Sequence, residues 1–153
     1  MKFKKIITLI LAISCLFAVT LTAVSCGNDF SSTEWYENTS KTQRGASYKS
    51  FGGNKFYAVD FTEATDISVV VATASGDLIA EVYLKETPDA PIYSVSIKTD
   101  ESGAKTAKVT KGGEVSEITL TENYTDTVKI PAKGNYVIHL NGQNHAGSFS
   151  FDW

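Results

Sequence analysis

From Phe56 onward the chain alternates apolar and polar positions with a period of two. Tyr57, Val59 and Phe61 alternate with Phe56, Ala58 and Asp60, and Ile67, Val69 and Val71 alternate with Ser68, Val70 and Ala72. After Ser75-Gly76-Asp77 come Leu78, Ala80, Val82 and Leu84, with Ile79, Glu81 and Tyr83 between them. Successive side chains of a strand point to opposite faces, so this pattern builds one buried and one wetter face. Gly76-Asp77 supplies the backbone freedom of a tight hairpin, and the sequence predicts a turn there.

The second half continues in the same way. Pro88-Asp89-Ala90-Pro91 interrupts the chain, and Tyr93, Val95 and Ile97 then alternate with serines. Asp100-Glu101-Ser102-Gly103 reads as a turn into a weak polar strand from Ala104 to Thr110. Lys111-Gly112-Gly113 is a hairpin signal before a strand from Glu114 to Leu120, and Val128-Lys129-Ile130 follows another polar turn. Tyr136, Ile138 and Leu140 alternate with Val137 and His139, and Asn141 to Gly147 is expected to turn the chain back into Phe149, Phe151 and Trp153. Residues 34–54 are less regular. Trp35, Tyr36, Tyr48 and Phe51 call for burial or a ligand, whereas residues 39–43 and Gly52-Gly53-Asn54 read as turns, leaving one or two short strands. Strand-length runs with turn signals about every 8–12 residues predict an all-β fold, an antiparallel, jelly-roll-like β-sandwich. No stretch beyond the leader holds a helical period.

The first 25 residues belong to a different class. Lys2, Lys4 and Lys5 precede a run from Ile6 to Val24 without a charge, the make-up of an export signal. Leu21-Thr22-Ala23-Val24-Ser25-Cys26 resembles the lipobox of bacterial lipoprotein signal peptides, with Ala23 where that family more often has Leu. The resemblance implies cleavage before Cys26, a diacylglycerol on its sulfur, and a protein held by lipid at the cell membrane or outer membrane on the extracytoplasmic side. One acyl chain holds a protein marginally and two hold it stably. The competing readings are an uncleaved membrane anchor, for which the run is about long enough, and plain secretion with an unmodified cysteine. The expected organisation is a signal peptide over 1–25, the lipidated cysteine and a short tether over 26–33, and one sandwich domain over 34–153.

Charge and cysteine content narrow the function. Residues 26–153 carry 11 Lys and Arg against 17 Asp and Glu, a net −6. An acidic domain repels phosphate backbones, which argues against nucleic acid as a partner. Of the 2 cysteines, Cys15 lies in the leader and Cys26 is the expected acylation site, so no disulfide braces the domain. Stability must come from a hydrophobic core.

Candidate chemistry is sparse. His139 is expected on an outer face, opposite Tyr136 and Ile138, and His145 in the final turn, neither with a carboxylate partner apparent in sequence. Ser102 and Lys105 have the spacing of a serine–lysine acylating pair, which requires a helix start where the sequence predicts a hairpin turn. Asp100 with Glu101, or Glu122 with Asp126, would hold calcium only weakly, and Asn38 and Asn123 begin glycosylation-type triplets without meaning in a bacterial lipoprotein. No catalytic residue, metal or cofactor is expected. The segment from Ile130-Pro131-Ala132-Lys133-Gly134-Asn135-Tyr136 to Gly147-Ser148-Phe149-Ser150-Phe151-Asp152-Trp153 resembles the last hairpin of prepeptidase C-terminal-type and similar secreted modules. That likeness implies a sandwich fold, and such modules bind glycans, assist other domains or mediate contacts.

The aromatic residues are the best binding material, since flat rings with polar edges stack on the apolar faces of sugars. Trp35, Tyr36, Tyr83 and Trp153 are the candidates for exposure, but a structural role is favoured for each, with Trp35 plugging the sandwich and Trp153 capping the core with Phe149 and Phe151. The expected function is a non-enzymatic, membrane-anchored binding module of the cell envelope, its ligand an extracellular glycan or an envelope protein. The alternatives are an architectural accessory lipoprotein and, remotely, a hydrolase.

Overall fold

The computed structural model describes residues 30–153, so Cys26 and the leader lie outside the described residues. Nine strands are described: β1 Ser31–Thr33, β2 Tyr36–Thr39, β3 Gln43–Phe61, β4 Thr65–Leu84, β5 Tyr93–Thr99, β6 Lys105–Lys111, β7 Glu114–Leu120, β8 Tyr124–Ile130 and β9 Gly134–Asp152. They form one antiparallel sheet in the order β1-β3-β9-β4-β5-β6-β7, with β2 paired to β3 and β8 paired to β4. The all-β antiparallel expectation holds. The chain enters the sheet earlier than the composition of 26–33 suggests, because Phe30 packs against the core and Ser31 pairs with Gly52.

Three of the expected turns are not turns. Gly52-Gly53-Asn54, Ser75-Gly76-Asp77 and Asn141–Gly147 lie inside single strands of 19, 20 and 19 residues. The ladder between β3 and β9 slips between Tyr48 and Gly53, and the ladder between β4 and β9 slips between Thr73 and Asp77. Each slip is a bulge, which inserts a residue, bends the strand and reverses which parity faces inward. In β3 the buried set passes from Ala46 and Tyr48 to Phe51, Tyr57, Val59 and Phe61; in β4 it passes from Ile67, Val69 and Val71 to Leu78, Ala80 and Val82. The buried face therefore stays inside across the bend.

Bending three adjacent strands at one level folds the sheet over on itself. The first halves of β3 and β4 and the second half of β9 form one layer with β1, β2 and β8. The remaining halves form the other layer with β5, β6 and β7. Inner faces meet across the gap, with Tyr57 6.0 Å from Phe149 and Phe61 5.2 Å from Trp153 between ring centroids. A single cluster of buried residues fills the space between them. At the entry to β9, the Tyr136 hydroxyl donates to the Ala132 carbonyl at 3.0 Å and fixes the corner around Pro131.

Each open side of the sandwich is closed by a tyrosine and a lysine meeting on one carboxylate. On one side the Tyr57 hydroxyl donates to Glu37 Oε1, and Lys55 Nζ lies 3.4 Å from the same oxygen. On the other the Tyr93 and Tyr124 hydroxyls are 2.7 Å apart, Tyr124 donates to Asp126 at 3.0 Å, and Lys111 reaches Asp126 at 2.7 Å. Burial pushes the Tyr57, Tyr93 and Tyr124 phenols up, so they stay protonated donors. Burial also opposes ionisation of Asp126, but its bonds from Lys111, the Thr127 amide and Tyr124 outweigh that and hold its carboxyl below the ordinary range. Tyr124→Phe leaves the fully buried Tyr93 hydroxyl without its acceptor, at a cost of about 1–3 kcal/mol. In urea unfolding, the double variant Tyr93→Phe with Tyr124→Phe is expected to recover part of that loss.

Candidate functional site

The outer face of the layer containing β5, β6 and β7 is where polar and aromatic side chains converge. Strand register sets them in rows across the sheet. One row runs Asn54, Asn141, Ile79, Ser96 and Lys108, and the next runs Phe56, His139, Glu81, Ser94 and Thr110. All but Asn54 adjoin a buried position on their own strand, so the inward-facing core and this polar face are built by alternate residues of the same strands.

The two rows interlock around His139. The Phe56 ring lies 4.4 Å from the imidazole at an interplanar angle of 7°, so the two form a flat double platform, and Phe56 is 52% exposed. His139 Nδ1 is 3.2 Å from Glu81 Oε2 and Nε2 is 2.8 Å from Asn54 Oδ1. Asn141 Nδ2 donates to Asn54 Oδ1 at 2.8 Å. With both ring nitrogens engaged, the imidazole is oriented rather than left free as a general base, and its hydrogen-bond partners among the described residues are Glu81 and Asn54. Beside the platform, Asp77, Ile79, Ser96, Lys98, Asn141 and Gln143 line a shallow recess of about 120 Å³. Asp77 is partly engaged, accepting the Thr99 amide at 3.0 Å. The result is a ring surface edged by amides, hydroxyls and one ammonium, chemistry suited to stacking against a polyhydroxylated ligand and hydrogen bonding its rim.

The four aromatic positions singled out in the sequence are scattered. Tyr83 sits on this outer face, opposite Val137 and half-buried; burial and then the charge of Glu81 push its phenol up. Tyr36 is exposed, at 51%, on the β2 edge. Trp35 is half-buried and stacks on Tyr48 at 4.8 Å and 6°, with Phe30 and Phe51 against its edges; its Nε1 is buried with no hydrogen-bond partner among the described residues. Trp153 is half-buried on Phe61 with the Arg44 guanidinium 5.4 Å over its ring. The residues the sequence reading missed are Phe56, Asn54 and Asn141. Phe56 was findable, since it opposes Tyr57, Val59 and Phe61 in parity and cannot share their core.

The histidines correct the sequence reading. His139 does lie on the outer face, but it has a carboxylate partner, brought from β4 by register. His145 is not in a turn at the surface. It is fully buried in the bend of β9, its Nδ1 2.8 Å from the Tyr48 hydroxyl and its Nε2 2.9 Å from Thr73 Oγ1. Burial pushes its pKa down to about 4 against an opposing pull from Asp77. Asp100 caps its own turn, accepting from the Ser102 and Ala104 amides and the Ser102 hydroxyl. Ser102 therefore bonds Asp100, and Lys105 begins β6 with no helix to bring it onto the serine. No group of three or more His, Cys, Asp or Glu suited to a metal ion occurs among the described residues, and no described helix is long and apolar enough to cross a membrane. No protein-family model matches the chain, and no curated protein matches it.

Proposed function

We propose that this chain is a non-enzymatic lipoprotein of the bacterial envelope, acylated on Cys26, whose sandwich binds a saccharide on the outer face built around Phe56. The observation that supports the ligand is the exposed Phe56 ring stacked on an imidazole that is itself held by Glu81 and Asn54. A solvent-facing phenylalanine with a preorganised polar surround has little structural use, and sugars offer the matching C–H faces and hydroxyl edges. The likeness of the closing segment to prepeptidase C-terminal-type modules fits a binding role. Attachment rests on the lipobox-like residues before Cys26.

A second reading, an accessory protein that pairs with an envelope partner, has its own support in β7. That edge strand is exposed on both faces, with Val115 at 60% and Ile118 at 46%. A glycan array separates the two. Binding that falls about tenfold in Phe56→Ala, a loss of roughly 1.4 kcal/mol, is expected, with the variant still folded and its stability lowered by about 1 kcal/mol for the lost stacking on His139. Silence across the array, or binding indifferent to Phe56, overturns the saccharide reading. Metabolic labelling with palmitate tests the anchor, with label expected on the wild type and none on Cys26→Ala.

A further inference from the structure

The geometry points to a membrane-facing surface on this molecule: we propose that the β1–β2 edge, from Phe30 to Tyr36, rests on the bilayer that carries the lipid. The inference depends on acylation at Cys26 and adds the orientation of the body. Only Gly27-Asn28-Asp29 separate Cys26 from Phe30, so the two Cα atoms lie within about 14 Å however the chain runs. Phe30 does not swing free. Its ring is 4.8 Å from Trp35 and 5.5 Å from Phe51, and the Lys55 ammonium stands 5.2 Å from its centroid. Lys55 is held in turn by Glu37. Phe30 is thus bolted to the core, and a lipid four residues away holds that point within about 14 Å of the headgroup layer, close enough for its edge of the sheet to rest there.

The side chains around that point suit the setting. Tyr36 turns outward from Trp35 and is the large aromatic exposed on this edge. Lys49 lies beside it, paired with Glu34 at 2.6 Å. An amphipathic ring with an ammonium near it is the make-up that settles at a membrane–water interface. Trp153 lies at the far end of the same layer: its amide bonds Thr42, while Trp35 stacks on Tyr48, roughly 20 Å along β3.

The two tryptophans therefore serve as opposed reporters. In acylated full-length protein reconstituted into phosphatidylethanolamine–phosphatidylglycerol vesicles with brominated acyl chains, Trp35 in the Trp153→Phe variant is expected to be quenched at least about twofold more than Trp153 in Trp35→Phe. Equal or absent quenching of Trp35, in material whose lipid is verified by mass spectrometry, overturns the orientation and leaves the anchor standing. A bare Cys26 overturns both. Should either tryptophan variant fail to fold, a nitroxide on Tyr36→Cys, the one free thiol once Cys26 is acylated, is expected to lose accessibility to an aqueous relaxant on vesicle binding; unchanged accessibility overturns the proposal.

Discussion

Gly76→Ala is expected to lower stability by at least ~3 kcal/mol, bringing the thermal midpoint down by about 10 °C. Gly76 lies in the bulge of β4, at φ 76°, where an L side chain is strained by roughly 1–2 kcal/mol. Space makes it worse. A Cβ there would sit 2.1 Å from the Asn144 carbonyl oxygen and 2.7 Å from the His145 amide nitrogen. Those atoms are backbone, so relief requires moving β9 away from β4 at the point where both bend. Asn144 itself holds φ 50°, which asparagine tolerates better than most residues, so the opposing strand is already at a restricted conformation. The Gly76 carbonyl also accepts the Thr99 hydroxyl at 2.7 Å, tying the bend to the end of β5. Urea unfolding of Gly76→Ala beside Gly52→Ala checks the argument. At Gly52 a Cβ meets nothing within 4 Å and φ is not positive, so that variant is expected to match the wild type or gain a few tenths of a kcal/mol. Equal losses in the two would refute a corner defined by close backbone approach.

The same corner explains which parts of the fold were legible. Alternation located nearly every strand and assigned its inner face, because burial on one side of a pleated sheet imposes a period of two wherever it occurs. What alternation could not decide was whether a glycine-centred break in phase reverses the chain or only bends it. Ile67, Val69 and Val71 are odd and Leu78, Ala80 and Val82 are even; a hairpin and a bulge produce the same slip, and Gly76 serves either. The distinction is tertiary: it depends on β9 lying beside both halves of β4. The candidate site divides the same way. The outward direction of Phe56 and His139 follows from parity, whereas the meeting of His139 with Glu81 and Asn54 requires the order β3-β9-β4, which joins residues 85 and 58 positions apart. For Trp35 the sequence offered both a surface ring and a plug, and its ring packs on Tyr48, Phe30 and Phe51.

Acid is expected to unfold this protein partly through His145. Its ring sits where β3, β4 and β9 bend together, with the Tyr48 hydroxyl on one nitrogen and the Thr73 hydroxyl on the other. Both partners are neutral, and burial pushes the Tyr48 phenol up, so neither supplies a compensating charge. Asp77 is the charged group that favours the imidazolium, and its pull is smaller than the burial that opposes it. The folded value of about 4 lies below the ordinary 6.5. Between those values the unfolded chain binds more protons than the folded one, so stability rises with pH across the window. The contribution is fully present above about 6.5 and drains away as pH falls toward about 4, a change of roughly 3 kcal/mol. His145→Gln keeps an amide between the two hydroxyls but cannot take a proton in this range. Its stability at neutral pH is expected to be lower than the wild type's, and its curve flatter from pH 6.5 to 4, so that the gap between the two narrows as acid is added. Subtracting the curves removes every contribution the two proteins share. A gap that stays constant over the window would mean that the imidazole is protonated in the folded state, and the bend would then have to shelter a charge between two hydroxyls.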